Sequence, residues 1–350
     1  MYALKRLKAP GFKRLGFKRL GRNRLGLKRL GLTALAAAAL PLSPASATDY
    51  PLSIDHALGT AVLKQAPERI ATVAWANHEV PLALGVVPVG FAAANFGDEN
   101  GSGLLPWVEA RLQALDAPAP TLYDEGDGID FEAVAASRPD VILAGYSGLS
   151  QSDYDTLSQI APVVGYREGP WATSWRDMIR LNSAGMGMAK EGDALIAELE
   201  AQIRETAARY PVLDGKTAMF VTHLDPNHLG RIAFYSDNDA RVQFFHDLGL
   251  ASPQVVLDNA AEGQFSGSIS AELIDELNDV DILVTYGGES LLDELKANPL
   301  TSRLPAVANG AVVMLDDSPL GTAANPTPMS IAWVLDEYAR LLADAARKAE

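Results

Sequence analysis

The sequence predicts an α/β fold: two lobes with central, mostly parallel sheets, joined by one long helix. Three observations carry this. Strands alternate with helical patterns on both sides of the middle of the chain, the arrangement that produces parallel sheets. Gly192–Tyr210 (GDALIAELEAQIRETAARY) reads as one helix, with a stripe at Leu195, Ile196, Leu199 and Ile203 and the pairs Glu200→Arg204 and Glu205→Arg209. At about 1.5 Å per residue it is roughly 28 Å long. Finally, Glu132–Tyr146 has a counterpart 140 residues later in Glu272–Tyr286, each running Glu, helix, Asp, strand, Tyr. Two similar lobes on a rigid helix leave a cleft between them.

The 350 residues are enough for two domains. The first 47 differ in kind: they hold 11 of the 29 Lys and Arg, no acidic residue, and the repeat GFKRL, GFKRL, GRNRL, GLKRL. The apolar run Leu30–Leu42, too short to span a bilayer, leads to Ala45-Ser46-Ala47. These features predict a secretory signal peptide over 1–47, cleaved after Ala47. A nucleic-acid-binding basic arm leaves the Ala-rich run and the small-x-small site unexplained. Removing 1–47 leaves 18 Lys and Arg against 44 Asp and Glu, a net −26. That charge argues against nucleic acid or an anionic membrane as partner. With no cysteine there is no disulfide, thiolate metal site, Cys nucleophile or lipid-bearing Cys. The expectation is an unanchored, monomeric periplasmic protein of four parts after the signal: an N-terminal lobe over 48–186, a linking helix over 187–211, a C-terminal lobe over 212–326 and a terminal helix over 327–350.

Residues 48–68 read as extended and turn-rich. Strand Ile70–Ala74, a short helix Asn77–Leu84 with Asn77 as N-cap, and strand Pro88–Phe91 follow. Residues 94–128 read as loop. Helix Phe131–Ser137, strand Val141–Ala144, helix Tyr154–Ile160 and strand Pro162–Gly165 continue the alternation. Residues 171–189 read as a helix capped at Ser174 with Asp177 three residues on. In the second half come strands Thr217–Thr222 and Ile232–Tyr235, helices Ala240–Leu248 and Ala271–Leu277, strands Ile282–Thr285 and Ala311–Leu315, and a long amphipathic helix Ser330–Ala346.

In open α/β sheets ligands bind beyond the C-terminal ends of the strands. That rule selects Trp75, Asn77, His78, Tyr146, Arg167, Trp171 and Trp175 in the first half. In the second half it selects His223, His228, Arg231, Tyr235, Phe265 and Tyr286. Trp and Tyr suit a wide site for a bulky ligand, though any single aromatic serves equally as core packing. No GxGxxG follows a strand, and there is no GxxxxGK[ST] and no GxSxG, so an enzyme, including a secreted α/β hydrolase, is not indicated. A Zn or Mn site built from His78, His223 and His228 with Asp225 or Glu79 is the competing reading, but no pair of histidines has HxH or HExxH spacing. Glu132 and Glu272 each open a helix, where the dipole favours a carboxylate. As equivalent positions they also form a matched pair for a two-fold partner.

Several stretches together resemble the substrate-binding proteins of ABC importers for ferric siderophores, haem and cobalamin. They are His56–Gly59 with Ala66–Ile70, Asp130–Glu132 through Pro139–Ile142, Ile160–Val164, Ser270–Leu273, Asn298–Leu300, and Pro326–Ser330 through Trp333–Asp336. They run in order through the chain after residue 47. The resemblance implies two Rossmann-like lobes joined by one long helix, the class III periplasmic binding protein fold, with little hinge closure and ligand held between the lobes by aromatics and arginines. It implies that Glu132 and Glu272 dock onto basic residues of the two inner-membrane permease subunits, and that Tyr146 lies near a tyrosine that contacts hydroxamate chelates. The arginine often found before the first-lobe glutamate is replaced here by Asp124-Glu125-Gly126-Asp127-Gly128. That departure leaves its role to Arg167, Arg231 or no residue and favours a near-neutral, hydroxamate-type chelate. The function so implied is capture of a ferric siderophore for iron uptake, with no catalysis, no intrinsic cofactor and iron held only by the siderophore. Haem or cobalamin, with Tyr146 or His78 as axial ligand for haem, is the alternative within the family.

Overall fold

The structure, a computed structural model, describes residues 48–224, 230–261 and 263–349, without the side chains of His223 and Glu289. The expected signal peptide, Asp225, His228 and the His223 side chain therefore lie outside the described residues. A hairpin, β1 (Leu52–His56) with β2 (Gly59–Leu63), precedes the first sheet. Then follow β3 (Ile70–Thr72), α1 (Glu79–Ala83), β4 (Gly90–Ala92), α2 (Pro106–Ala114) and β5 (Thr121–Tyr123). After them come α3 (Phe131–Ala136), β6 (Val141–Leu143), α4 (Gln151–Leu157) and β7 (Val163–Val164). The sheet is parallel throughout, in the order β5-β4-β3-β6-β7. Its central strands β3 and β6 are fully buried, as parallel strands covered on both faces must be.

Two helices, α5 (Trp175–Gly185) and α6 (Ala189–Arg209), lead to the second sheet. Its elements are β8 (Ala218–His223), β9 (Arg231–Tyr235), α7 (Ala240–Asp247), α8 (Gln254–Asp258), β10 (Ser266–Ser270), a 3-10 turn over Ala271–Leu277, β11 (Ile282–Tyr286), α9 (Glu289–Ala297), α10 (Pro305–Asn309), β12 (Val312–Leu315) and α11 (Pro319–Ala323). The order is β10-β9-β8-β11-β12, with β8, β11 and β12 parallel and the β8–β9–β10 edge antiparallel. The chain ends in α12 (Pro328–Lys348).

The internal echo corresponds to a repeated structural device. Asp140 precedes β6, and its Oδ2 accepts the backbone N–H of Arg69, which leads into the neighbouring β3, at 3.0 Å. Asp281 precedes β11, and its Oδ2 accepts the N–H of Thr217, which leads into β8, also at 3.0 Å. In each lobe one aspartate thus sets the start of two adjacent parallel strands. The caps are parallel as well: the Asp130 and Ser270 side chains accept backbone N–H groups at the starts of the segments that carry Glu132 and Glu272.

Local chemistry overrides several expectations. Residues 94–128 contain α2, opened by Pro106 at its first position, and β5. Asn77 is not a helix cap, because its amide is drawn inward to buried backbone groups; His78 stands at the helix start and makes no side-chain cap bond. The segment 271–277 is 3-10 rather than α, with Leu273 out of helical conformation. The linking helix begins at Ala189 and buries Ile196, Leu199 and Ile203.

The two sheets do not have wholly separate cores. One apolar cluster takes Val80, Leu82 and Trp107 from the first lobe, Ile196, Leu199 and Ile203 from α6, Phe220 and Val284 from the second sheet, and Ile331, Val334, Leu335, Tyr338 and Leu342 from α12. Helix α12 is therefore a second tie between the lobes. Truncating one of its buried leucines to alanine is expected to cost about 2–5 kcal/mol.

Candidate ligand-binding cleft

The strand ends of both sheets open on a cavity of about 650 Å³. The first lobe contributes Ala74 and Trp75 after β3, Asn95 and Phe96 after β4, Glu125 and Ile129 after β5, Tyr146 and Leu149 after β6, and Trp171 after β7. The second contributes Tyr235 at the end of β9, Asp239 and Arg241 at the start of α7, Phe265, Tyr286 at the end of β11, and Thr322 and Asn325 around α11. The parallel register of β11 and β8 shifts between Thr285 and Tyr286, an irregularity of the kind that re-aims a side chain at a site. Ala74 and Trp171 adopt left-handed backbone with φ near 60°, so the wall is built partly on strained turns.

Of the residues selected from the sequence, Trp75, Tyr146, Trp171, Tyr235, Phe265 and Tyr286 line this cavity. The Tyr146 and Trp171 rings meet edge to face at 5.2 Å. Burial holds the Tyr146 phenol well above its ordinary pKa, and Asn325 Nδ2 donates to its hydroxyl at 3.1 Å.

Five other selected residues lie elsewhere, each for a visible reason. Asn77 is fully buried behind the wall. Its Nδ2 donates to the carbonyls of Val73 (2.8 Å) and Tyr146 (2.7 Å), and its Oδ1 accepts from the Tyr146 N–H and from Asn182. It positions Tyr146 from behind. His78 is stacked on Phe91 at 4.2 Å, and burial pushes its imidazole down to about 3, so it is neutral. Trp175 is fully buried; its Nε1 donates to Asp247 of α7 at 2.9 Å, with the Arg176 guanidinium 4.2 Å from the ring. Arg167 is exposed and outside the cavity. Arg231 is also exposed, on β9, and its Nε donates to Ser268 of β10 at 3.1 Å. Glu132 and Glu272 are exposed.

The guanidinium in the cavity is Arg241, which the strand-end rule passes over because it sits one residue inside a helix. A cation in a first helical turn opposes the dipole, and that is the signal in the sequence. What holds it is the preceding cap residue: Asp239 is fully buried, its Oδ1 accepts the Arg241 N–H at 2.8 Å, and its Oδ2 pairs with Nη1 at 2.9 Å. Arg241 Nε also donates to the Tyr286 hydroxyl at 3.2 Å, and the guanidinium lies 4.2 Å from the Tyr235 ring centre. Burial opposes its charge, but Asp239 together with Tyr286, Tyr146 and Tyr235 more than offsets this and raises its pKa above the ordinary value. Burial pushes the Tyr235 phenol up to about 12.

Glu125, from the segment where the arginine is missing, lines the opposite wall. Its Oε2 accepts the Ala74 N–H at 2.9 Å, its Oε1 has no hydrogen-bond partner, and burial, reinforced by nearby Asp130, pushes the carboxyl up to about 7. Among the described residues, Arg241 is the sole cationic side chain of the lining, and Asp239 balances it. Also among the described residues, no group of three His, Asp or Glu stands close enough to hold a metal ion, and no helix is long and apolar enough to cross a membrane.

Two α/β lobes with an aromatic cavity at the facing strand ends define a solute-binding protein. The sequence model of the periplasmic binding protein family matches residues 70–319, and the chain belongs to that family. It is similar to the crystal structure of Streptococcus pneumoniae TIGR4 PiaA in complex with ferrichrome, with 42% identity and a TM-score of 0.82 over 85% of this chain and all of that one. It is 28% identical to the probable siderophore-binding lipoprotein YfiY of Bacillus subtilis, over 76% of this chain and 80% of the relative. It is 27% identical to the ferric enterobactin-binding periplasmic protein FepB of Escherichia coli, over 78% and 86%. The family and these relatives are binding proteins, and the fold is that of class III periplasmic binding proteins.

Proposed function

We propose that this protein captures a ferric siderophore in the periplasm and delivers it to an inner-membrane ABC importer for iron uptake, without chemistry on its ligand. The observation that carries the reading is the 650 Å³ aromatic cavity between the lobes, in a chain 42% identical to a protein seen with ferrichrome. The cavity's charge narrows the ligand. A ferric tris-hydroxamate is neutral, whereas a ferric tris-catecholate carries three negative charges. A wall whose one described guanidinium is already paired, and which adds the carboxyls of Glu125 and Asp153, suits the former. Trp75, Tyr146, Trp171, Tyr235, Phe265 and Tyr286 supply the ring surface, and Arg241 with Tyr286 supplies donors. The two candidates for an axial haem ligand are both engaged, His78 against Phe91 and Tyr146 with Asn325. Glu132 and Glu272, exposed at equivalent positions, are the proposed contacts with the two permease subunits, the protein acting as a monomer.

The test is tryptophan fluorescence of residues 48–350 titrated with ferric hydroxamates, ferric catecholates, ferric citrate, haem, cobalamin and Zn²⁺. Saturable quenching at submicromolar ferric hydroxamate, lost in Trp75→Ala and Trp171→Ala, is the expected result. A response to Zn²⁺ with none to any chelate overturns the reading.

A further inference from the structure

The first-lobe wall of the cavity carries a polar arrangement that a neutral tris-hydroxamate iron centre does not use. Glu125 reaches it from the loop after β5, with one carboxylate oxygen pinned by the Ala74 N–H at 2.9 Å and the other left without a protein partner. Trp75, next in the chain to Ala74, lines the same wall, and its indole Nε1 is likewise unpartnered. A carboxylate and an indole on one wall are a setting for an ammonium group, which donates a charge-assisted hydrogen bond to the first and is attracted by the ring of the second. The remaining charges of the cavity are engaged, wholly or in part, by other groups. Asp239 is spent on Arg241. Asp153 Oδ2 accepts from the Ser150 N–H (3.0 Å) and Oγ (2.7 Å), which ties one of its two oxygens to the cap of α4. Glu125 is thus the lining carboxyl anchored next to Trp75, through the Ala74 N–H, with no cation of its own.

We propose that Glu125 sets the charge specificity of the cavity, selecting ferric chelates that carry a peripheral ammonium over those with an uncharged or anionic group at the same place. This deepens the siderophore reading and rests on it. The loop that lacks the family's arginine is then a changed recognition element, with the opposite sign of charge, rather than a lost one.

The test uses three ferric complexes of one linear tris-hydroxamate: the free terminal amine, its acetylated form and its succinylated form, which is anionic. Wild-type residues 48–350 should bind the ammonium form about tenfold or more tighter than the acetylated form, the scale of one hydrogen bond to a charged group, and the succinylated form weakest. In Glu125→Gln, which keeps an acceptor for the Ala74 N–H, the three affinities should converge to within about twofold. Glu125→Arg should invert the order. Equal wild-type affinities for all three, or an order that persists in both variants, overturns the role of Glu125 and leaves the siderophore reading standing. Binding of none of them, nor of any other iron chelate, overturns both.

Discussion

The N–H of Met329, at the start of α12, donates to Oε2 of Glu79, 250 residues earlier on α1, at 3.1 Å. The same oxygen accepts from the Thr327 hydroxyl, and Oε1 accepts from Trp107 Nε1 at 2.7 Å. Glu79 is fully buried, so one first-lobe carboxyl closes the N-terminus of the last helix.

This contact makes stability depend on pH. Burial pushes the Glu79 carboxyl up from 4.5 to about 7, although its hydrogen bonds pull the other way. Between those values the folded protein holds a proton that the unfolded chain has released, so stability falls as pH rises from 4.5 through 7. At about 1.4 kcal/mol per pH unit the contribution is about 3 kcal/mol. Urea unfolding at pH 5 and pH 7.5 should show Glu79→Gln losing less stability across that interval than the wild type, by about that amount. An equal loss in both rules out Glu79 as the source.

Arg241→Ala should be costly twice over. It strands the buried Asp239, for about 3–5 kcal/mol of stability, and removes the cavity's guanidinium. The double variant Asp239→Asn/Arg241→Met should recover most of the stability without recovering chelate affinity. Calorimetry and the fluorescence titration read the two effects separately; recovery of binding in the double variant contradicts a ligand role for Arg241.

The backbones of Gly169 and Gly263, each two residues from a cavity-lining aromatic (Trp171, Phe265), pack closely: a Cβ added to Gly169 would stand 2.6 Å from the Gly263 carbonyl oxygen. Alanine there pushes apart the loops leading to Trp171 and Phe265. Stopped-flow dissociation of the chelate from Gly169→Ala should be several-fold faster, with a stability cost of about 1–3 kcal/mol from overpacking. An unchanged dissociation rate shows that this contact does not retain the ligand.

Glu132→Ala and Glu272→Ala should bind the chelate as the wild type does and support less uptake through the importer, the double variant least of all. A large drop in affinity from either single variant overturns the docking assignment.

The features legible in the sequence were those set by local chemistry or repetition. The cap at Ser174, the stripe of α6, and the echo ending in Tyr146 and Tyr286 depend on neighbours a few residues apart or on repetition. What was not legible depends on distant partners. Trp171 and Trp175 look alike as letters, but one sits in a left-handed loop facing the cavity, and the other begins α5 and is tied to Asp247. Asn77 falls at a strand end and points inward, because the backbone of Tyr146 offers it both a donor and an acceptor. Arg241 is hidden by its helix. The density of Gly, Pro and Asp over 94–128 masked the short helix that Pro106 opens.

The core that runs from α1 through α6 to α12 also fixes how the protein comes apart. Asn325, which holds the Tyr146 hydroxyl, lies two residues before Thr327, which caps α12 and binds Glu79. The cavity wall, the helix cap and the inter-lobe seam thus share one short stretch of chain. The expected consequence is unfolding in a single cooperative event, with a bound chelate raising the resistance of both lobes to heat and proteases.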